Sequence, residues 1–218
     1  MKPTASLLLA AALAVPAFVS LAQQAAPAAA GAPAAAAPAK PDPAQGSAKF
    51  GSVCAACHGP DGNSSVPTYP KLAQQFPEYL VKQLEDFKAG RRTNPIMQGF
   101  AAQLTEADMK NVAAWVSSQK AKLGFAKDKD LVMTGERIYR GGVAGRQIPA
   151  CAGCHSPDGA GVPIQFPRLS GQQADYVAAQ LTAFRDGVRK NSLVMAQVAS
   201  RLNDREIKAL ADYVSGLR

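Results

Sequence analysis

Apolar residues recur at helical spacing along most of the chain. Over Glu78 to Ala89, the residues Tyr79, Leu80, Leu84 and Phe87 fall largely on one side, and Gly90 supplies a C-terminal stop. The same pattern runs from Asp175 to Asp186 and stops at Gly187. Thr105-Glu-Ala-Asp108 has the form of an N-cap with an acid three residues on, and it opens a helix predicted to reach about Gln119. Asn203-Asp-Arg-Glu206 opens a matching helix that runs to the C-terminus. The segments 59–76 and 156–173, dense in Pro and Gly, are predicted to be long loops. No stretch alternates with the period of a half-buried strand, so the predicted class is all-α.

The N-terminal pattern is of another kind. Lys2 precedes a short apolar run from Leu7 to Val19, and Ser20-Leu21-Ala22 then gives a small-x-small site. The run is shorter than the ~20 residues of a membrane span, and Pro16 interrupts it. Residues 1–22 are therefore expected to be a cleavable signal peptide that exports the protein to the periplasm. Residues 23–44, almost all Ala and Pro, lack large apolar side chains and are expected to form a disordered tether.

The rest of the chain repeats itself once. Cys54-Ala-Ala-Cys57-His58 recurs 97 residues later as Cys151-Ala-Gly-Cys154-His155. Pro70-Lys-Leu72 then meets Pro167-Arg-Leu169, Gln75 meets Gln172, and Tyr79, Gln83, Phe87 and Gly90 meet Tyr176, Gln180, Phe184 and Gly187. The offset grows to 98 at Met97 and Met195. A period of this size indicates duplicated domains, expected at 45–123 and 133–218 with a linker over 124–132, where Lys127-Asp-Lys-Asp130 breaks the apolar pattern. The second copy carries an insertion, Arg140 to Pro149. Gly46/Phe50 with Trp115, and Gly135/Tyr139 with Tyr213, are expected to bring the first and last helices of each domain into close contact.

The candidate chemistry lies in the two CxxCH motifs. Two thiols one helical turn apart can each form a thioether with one haem vinyl group, and the following histidine then sits beneath the porphyrin. Zinc would want four ligands about one point, and a redox dithiol needs no following histidine. The chain has four cysteines and two histidines, all consumed by the motifs. Cys54, Cys57, Cys151 and Cys154 are thus candidate thioether donors to two covalently bound haem c groups, with His58 and His155 as axial ligands to iron. Pro70 and Pro167 have two readings: a carbonyl here accepts the other imidazole N–H, or each is a plain turn proline.

No histidine remains for the opposite haem face. Met97 and Met195 lie 39 and 40 residues beyond their histidines, expected in loops between helices, and are the candidate sixth ligands. Met109 aligns with Ile207 inside a helix and is read as core filler; Met133 has no counterpart. Histidine–methionine ligation leaves no open position for oxygen or peroxide and raises the reduction potential, which favours an electron carrier over a catalyst.

The formal net charge is +8. Basic residues such as Lys82, Lys88, Arg91 and Arg92 are interleaved with Glu85 and Asp86, which argues against nucleic acid and suits an acidic redox partner or a membrane surface. Arg91, Arg92, Arg189 and Lys190 adjoin the methionine segments, where they would neutralise propionates, meet a partner or lie in solvent.

The doubled CxxCH…PxL…NxxM/NxxxM pattern, with Ile138-Tyr-Arg-Gly-Gly142, Ile148-Pro-Ala-Cys-Ala-Gly-Cys-His155 and Pro167-Arg-Leu-Ser-Gly-Gln172, resembles the bacterial dihaem cytochrome c4 family over roughly Gln45 to Arg218. The resemblance implies two tandem class I cytochrome c domains with haems facing across the domain interface. It also implies electron delivery from the bc1 complex or another donor towards a terminal haem-copper oxidase, often at the membrane surface. The long Ala/Pro segment departs from the family and leaves peripheral membrane association open. Two other readings compete. A dihaem peroxidase would need an openable site, commonly with a second ligating histidine. A cytochrome subunit of a larger dehydrogenase or oxidase shares the chemistry but not the independence.

Overall fold

The computed structural model describes residues 40–218. The expected signal peptide, and residues 23–39 of the expected tether, lie outside the described residues. Asp42 caps the first helix, α1 (Pro43–Val53): its carboxylate accepts the N–H groups of Ala44 and Gln45, and Pro43 takes the first helical position. The helix therefore starts two residues before the expected domain boundary at 45.

The first domain continues with α2 (Ala55–His58), α3 (Pro77–Lys88), α4 (Pro95–Ala102) and α5 (Glu106–Ser117). The second repeats the order as α6 (Lys129–Gly141), α7 (Ala152–His155), α8 (Ala174–Arg185), α9 (Leu193–Ala199) and α10 (Asp204–Gly216). No strand occurs among the described residues. Both expected capping boxes form, Thr105 with Asp108 on α5 and Asn203 with Glu206 on α10.

The charged run at 127–130 opens a helix. Asp128 accepts the N–H groups of Asp130 and Leu131 and so caps α6, which begins inside the stretch expected to be linker. The residues just before it are tied to α10. Buried Asp212 accepts the N–H groups of Lys127 and Asp128 at 2.9 and 3.0 Å, and Ser215 Oγ donates to the Phe125 carbonyl. The insertion in the second domain is anchored as well: Val143 and Ile148 pair antiparallel, Ile148 is buried in the core, and Arg146 pairs with Glu206.

Each domain closes by packing its first helix on its last, α1 on α5 and α6 on α10. Glycine permits this approach. A Cβ at Gly46 would stand 2.0 Å from the Asn111 carbonyl oxygen, and one at Gly135 would stand 2.1 Å from that of Ala209. One turn on, fully buried Phe50 meets Trp115 with ring centroids 4.8 Å apart, and Tyr139 meets Tyr213 at 5.4 Å. Two separate cores result. One joins Phe50, Leu80, Val112 and Val116; the other joins Tyr139, Ile148, Val177, Leu210 and Val214. Met109 and Ile207 are both buried, as their alignment inside the last helices led us to expect.

Gly46→Ala or Gly135→Ala forces these helices apart and is expected to lower stability by at least ~2 kcal/mol. Gly51→Ala, on the same α1 but with nothing within 4 Å, serves as the control and should be neutral or slightly stabilising. Guanidinium unfolding of the three variants checks this.

Candidate haem sites

The two CxxCH segments form the same local structure. Cys54 stands at the junction of α1 and α2, and the His58 N–H donates to the Cys54 carbonyl at 3.0 Å, closing one helical turn that carries Cys57 between them. His155 N–H makes the same bond to the Cys151 carbonyl at 2.8 Å. Each imidazole is buried beneath the loop that follows it. His58 Nδ1 bonds the Pro70 carbonyl at 3.0 Å, and His155 Nδ1 bonds that of Pro167 at 2.9 Å. A carbonyl can only accept, so Nδ1 carries the proton and the lone pair of Nε2 is left for a metal.

The electrostatics agree. Burial lowers the basicity of both histidines, partly offset by the proline carbonyls, so the rings stay neutral. Burial also pushes the Cys54 and Cys151 thiols up to about 11, with their partner cysteines adding to the effect. Such thiols lack the depressed pKa of a redox dithiol. All four cysteines are free of disulfides, and among the described residues no group of three or more His, Cys, Asp or Glu is arranged to hold a metal ion directly. Paired thiols on one turn, with a neutral imidazole offering Nε2, fit covalent haem c and its proximal ligand.

The methionines sit differently from expectation. Met97 and Met195 lie in the first turns of α4 and α9, not in loops. Asn94 and Ser192 cap these helices by accepting the Met97 and Met195 N–H groups. The extra residue of the second copy explains the change of offset: Ser192 takes the capping role and releases Asn191 for the domain interface. Both methionines are half-buried.

Arg92 and Arg189, read from the sequence as neighbours of a propionate, a partner or solvent, are buried away from solvent between the domains, with their backbones paired in an antiparallel bridge. Arg92 donates to Gln83 of its own domain and to Tyr176 and Gln180 of the other, each at 2.9 Å. Arg189 donates to Gln180 at 2.9 Å and reaches across to Tyr79 at 3.2 Å and Gln83 at 3.1 Å. The guanidinium groups also lie 4.5 and 4.4 Å above the rings of Phe87 and Phe184. The repeat had paired Tyr79, Gln83 and Phe87 with their counterparts; polar residues recurring on an apolar helix were the available signal for this interface.

One member has no counterpart. Asp86, 2 % exposed, stands where the second copy has Ala183. It accepts from Lys82, from Arg91 Nε at 2.7 Å and from Asn191 Nδ2 of the other domain at 2.8 Å. Burial opposes its ionisation, but Lys82, Asn191 and Arg91 outweigh it and hold the carboxyl below its usual range.

Two helical domains, each presenting a CxxCH turn and a carbonyl-held histidine, define a c-type cytochrome with two haem sites. Comparison with known proteins agrees. A family model described as cytochrome c matches residues 43–120 and 134–218. Cytochrome c4 of Pseudomonas aeruginosa is 47 % identical over 180 residues, 81 % of this chain and 89 % of that protein. The solved structure of reduced recombinant cytochrome c4 from Pseudomonas stutzeri matches with a TM-score of 0.78 at 43 % identity, over 82 % of this chain and 100 % of that one. A Stutzerimonas stutzeri protein named thiosulfate dehydrogenase electron acceptor is 39 % identical over 170 residues, 76 % of this chain and 79 % of its own. The chain belongs to the dihaem cytochrome c4 family of electron carriers, with two covalently bound haem c groups.

Asp86→Asn leaves the shape but removes the charge that Lys82, Arg91 and Asn191 surround, and should cost roughly 1–3 kcal/mol at neutral pH. A carboxyl depressed in the folded state stabilises it above the unfolded pKa and loses that contribution as pH falls through the folded value. The gap between wild type and variant should therefore be flat from pH 7 to about 5 and close below about pH 4. Urea unfolding across that range measures it.

Proposed function

We propose that the protein is a periplasmic one-electron carrier, without catalysis of its own, that takes electrons from the bc1 complex or a dehydrogenase and passes them towards a terminal haem-copper oxidase. Cys54 and Cys57, and Cys151 and Cys154, would hold the two haems through thioethers, and His58 with Met97, and His155 with Met195, would hold the irons. The observation that carries this reading is the equivalence of the two sites: both imidazoles are buried and bonded through Nδ1 to equivalent proline carbonyls. Each bound haem supplies a reversible one-electron iron couple. The chain's part is to hold Nε2 in place, exclude water from the ring and offer a thioether at a fixed helical position. The proline carbonyls raise ligand basicity, while the methionine sulfurs favour the reduced state. A methionine sulfur opposite each histidine would leave a peroxidase reading without a substrate site. The 39 % identity to a thiosulfate dehydrogenase electron acceptor favours a dehydrogenase among the donors.

In Met97→His or Met195→His, both haems are expected to stay attached while one potential falls and half of the far-red sulfur-to-iron absorption disappears. A redox titration that leaves potentials and spectrum unchanged would sink the axial assignment. Stopped-flow reduction of the wild type by purified bc1 complex and by thiosulfate dehydrogenase ranks the donors. Gel filtration of periplasmic extract separates a free carrier from a subunit.

A further inference from the structure

The peptide units that receive the histidines are gripped from the opposite domain. Pro70 and Lys71 share one unit: its carbonyl takes the His58 proton at 3.0 Å, and its N–H donates to Gln172 Oε1 of the second domain at 2.8 Å. Gln172 Nε2 returns a bond to the Lys71 carbonyl at 2.9 Å, so the amide holds this backbone at two points. The mirror arrangement holds the second site. The Pro167 carbonyl takes the His155 proton, the Arg168 N–H donates to Gln75 Oε1 at 2.9 Å, and Gln75 Nε2 donates to the Arg168 carbonyl at 2.9 Å. Both glutamines are 8 % exposed. Each Oε1 also accepts the N–H of the next residue, Phe76 or Gln173, which settles the amide orientation.

A peptide N–H that donates a hydrogen bond makes the carbonyl of the same unit a stronger acceptor. A stronger acceptor draws on the Nδ1 proton and makes the imidazole a more basic ligand. We propose that Gln75 and Gln172 are positioning residues acting across the interface: each orients and polarises the peptide that holds the other domain's haem-ligating histidine, so each domain tunes the other's haem. This rests on His58 and His155 being axial ligands. A clamp serving only to join the domains could seize any backbone; these two seize the unit bonded to the histidine, in both copies.

The test uses the reduced holoprotein labelled with 15N-histidine, in which two histidines give two sets of ring signals. Tyr69→Leu removes the ring 6.4 Å from His58 and identifies that set. Gln172→Leu should move the Nδ1 signal of His58 and raise the potential of the first-domain haem, with His155 unmoved. Gln75→Leu should do the converse. Gln172→Glu keeps an acceptor, now charged, and should shift the first-domain potential down; it decides the matter alone if the leucine variant fails to fold. Movement of the histidine in the mutated domain, of both equally or of neither, overturns the proposal, as does an upward shift with glutamate. The Nε2 signals report iron ligation separately, so a failure of the axial assignment is told apart from a failure of the cross-domain coupling.

Discussion

A buried imidazole can offer one nitrogen to a metal only when the proton on the other has a fixed acceptor. The bonds from His58 to Pro70 and from His155 to Pro167 meet that condition, and much of each domain exists to hold them. The loop after each motif must double back over the ring. It does so by returning the N–H groups of Leu72 and Ala73 to the Gly62 carbonyl, and those of Leu169 and Ser170 to the Gly159 carbonyl. The loop in turn rests on the last helix, through Gln74 N–H to the Val116 carbonyl and Gly171 N–H to that of Val214. That helix is positioned by its glycine contact with the first, from whose end the motif springs directly in the first domain and after the insertion in the second. Motif, loop and helix pair close a circuit, and the two hydrophobic cores fill it.

The same constraint explains why the domain interface is polar. Proline carbonyls leave the loop backbone with N–H groups facing outward, and burying these against another apolar surface would cost about 1–3 kcal/mol for each unpaired group. Duplication offers a remedy, since a second copy brings equivalent glutamines with both a donor and an acceptor. Gln75 and Gln172 satisfy each other's domain, and the arginine, glutamine and tyrosine set beyond them continues the pattern. An interface built this way is specific in register, because a shifted pairing would strand buried donors.

Much of this was legible in the chain. Motif spacing, capping boxes and the helix-contact glycines each have a local signature, whereas Pro70 and Pro167 read as plain turn prolines equally well. The methionine helices had no such signature, because Asn94, Pro95 and Ser192 serve turns as readily as helix starts; Pro95 at the first helical position after Asn94 was the clue. The helix start at 129 was hidden for a similar reason: Asp128 caps it with the same side chain that populates linkers. The burial of Arg92 and Arg189 had no local signature at all. A basic pair after a glycine stop is composed like any solvated turn, and only the opposite copy turns it inward.

The two sites are alike in their covalent and hydrogen-bonded frame, so any difference between them must come from where the copies diverge. Three divergences lie close to the sites or their interface. Asp86 places a buried negative charge on the first domain's face, where the second has Ala183. Ser156 follows His155 with φ of 69°, a conformation that Gly59 adopts freely in the first copy; here the Tyr139 hydroxyl, donating to the Ser156 carbonyl at 2.7 Å, and the Ser156 hydroxyl, donating to Gly161, hold it. The insertion adds Ile148 to the second core and an arginine–glutamate pair beside it. These three places, and not the bonds that hold the imidazoles, distinguish the surroundings of the two histidines.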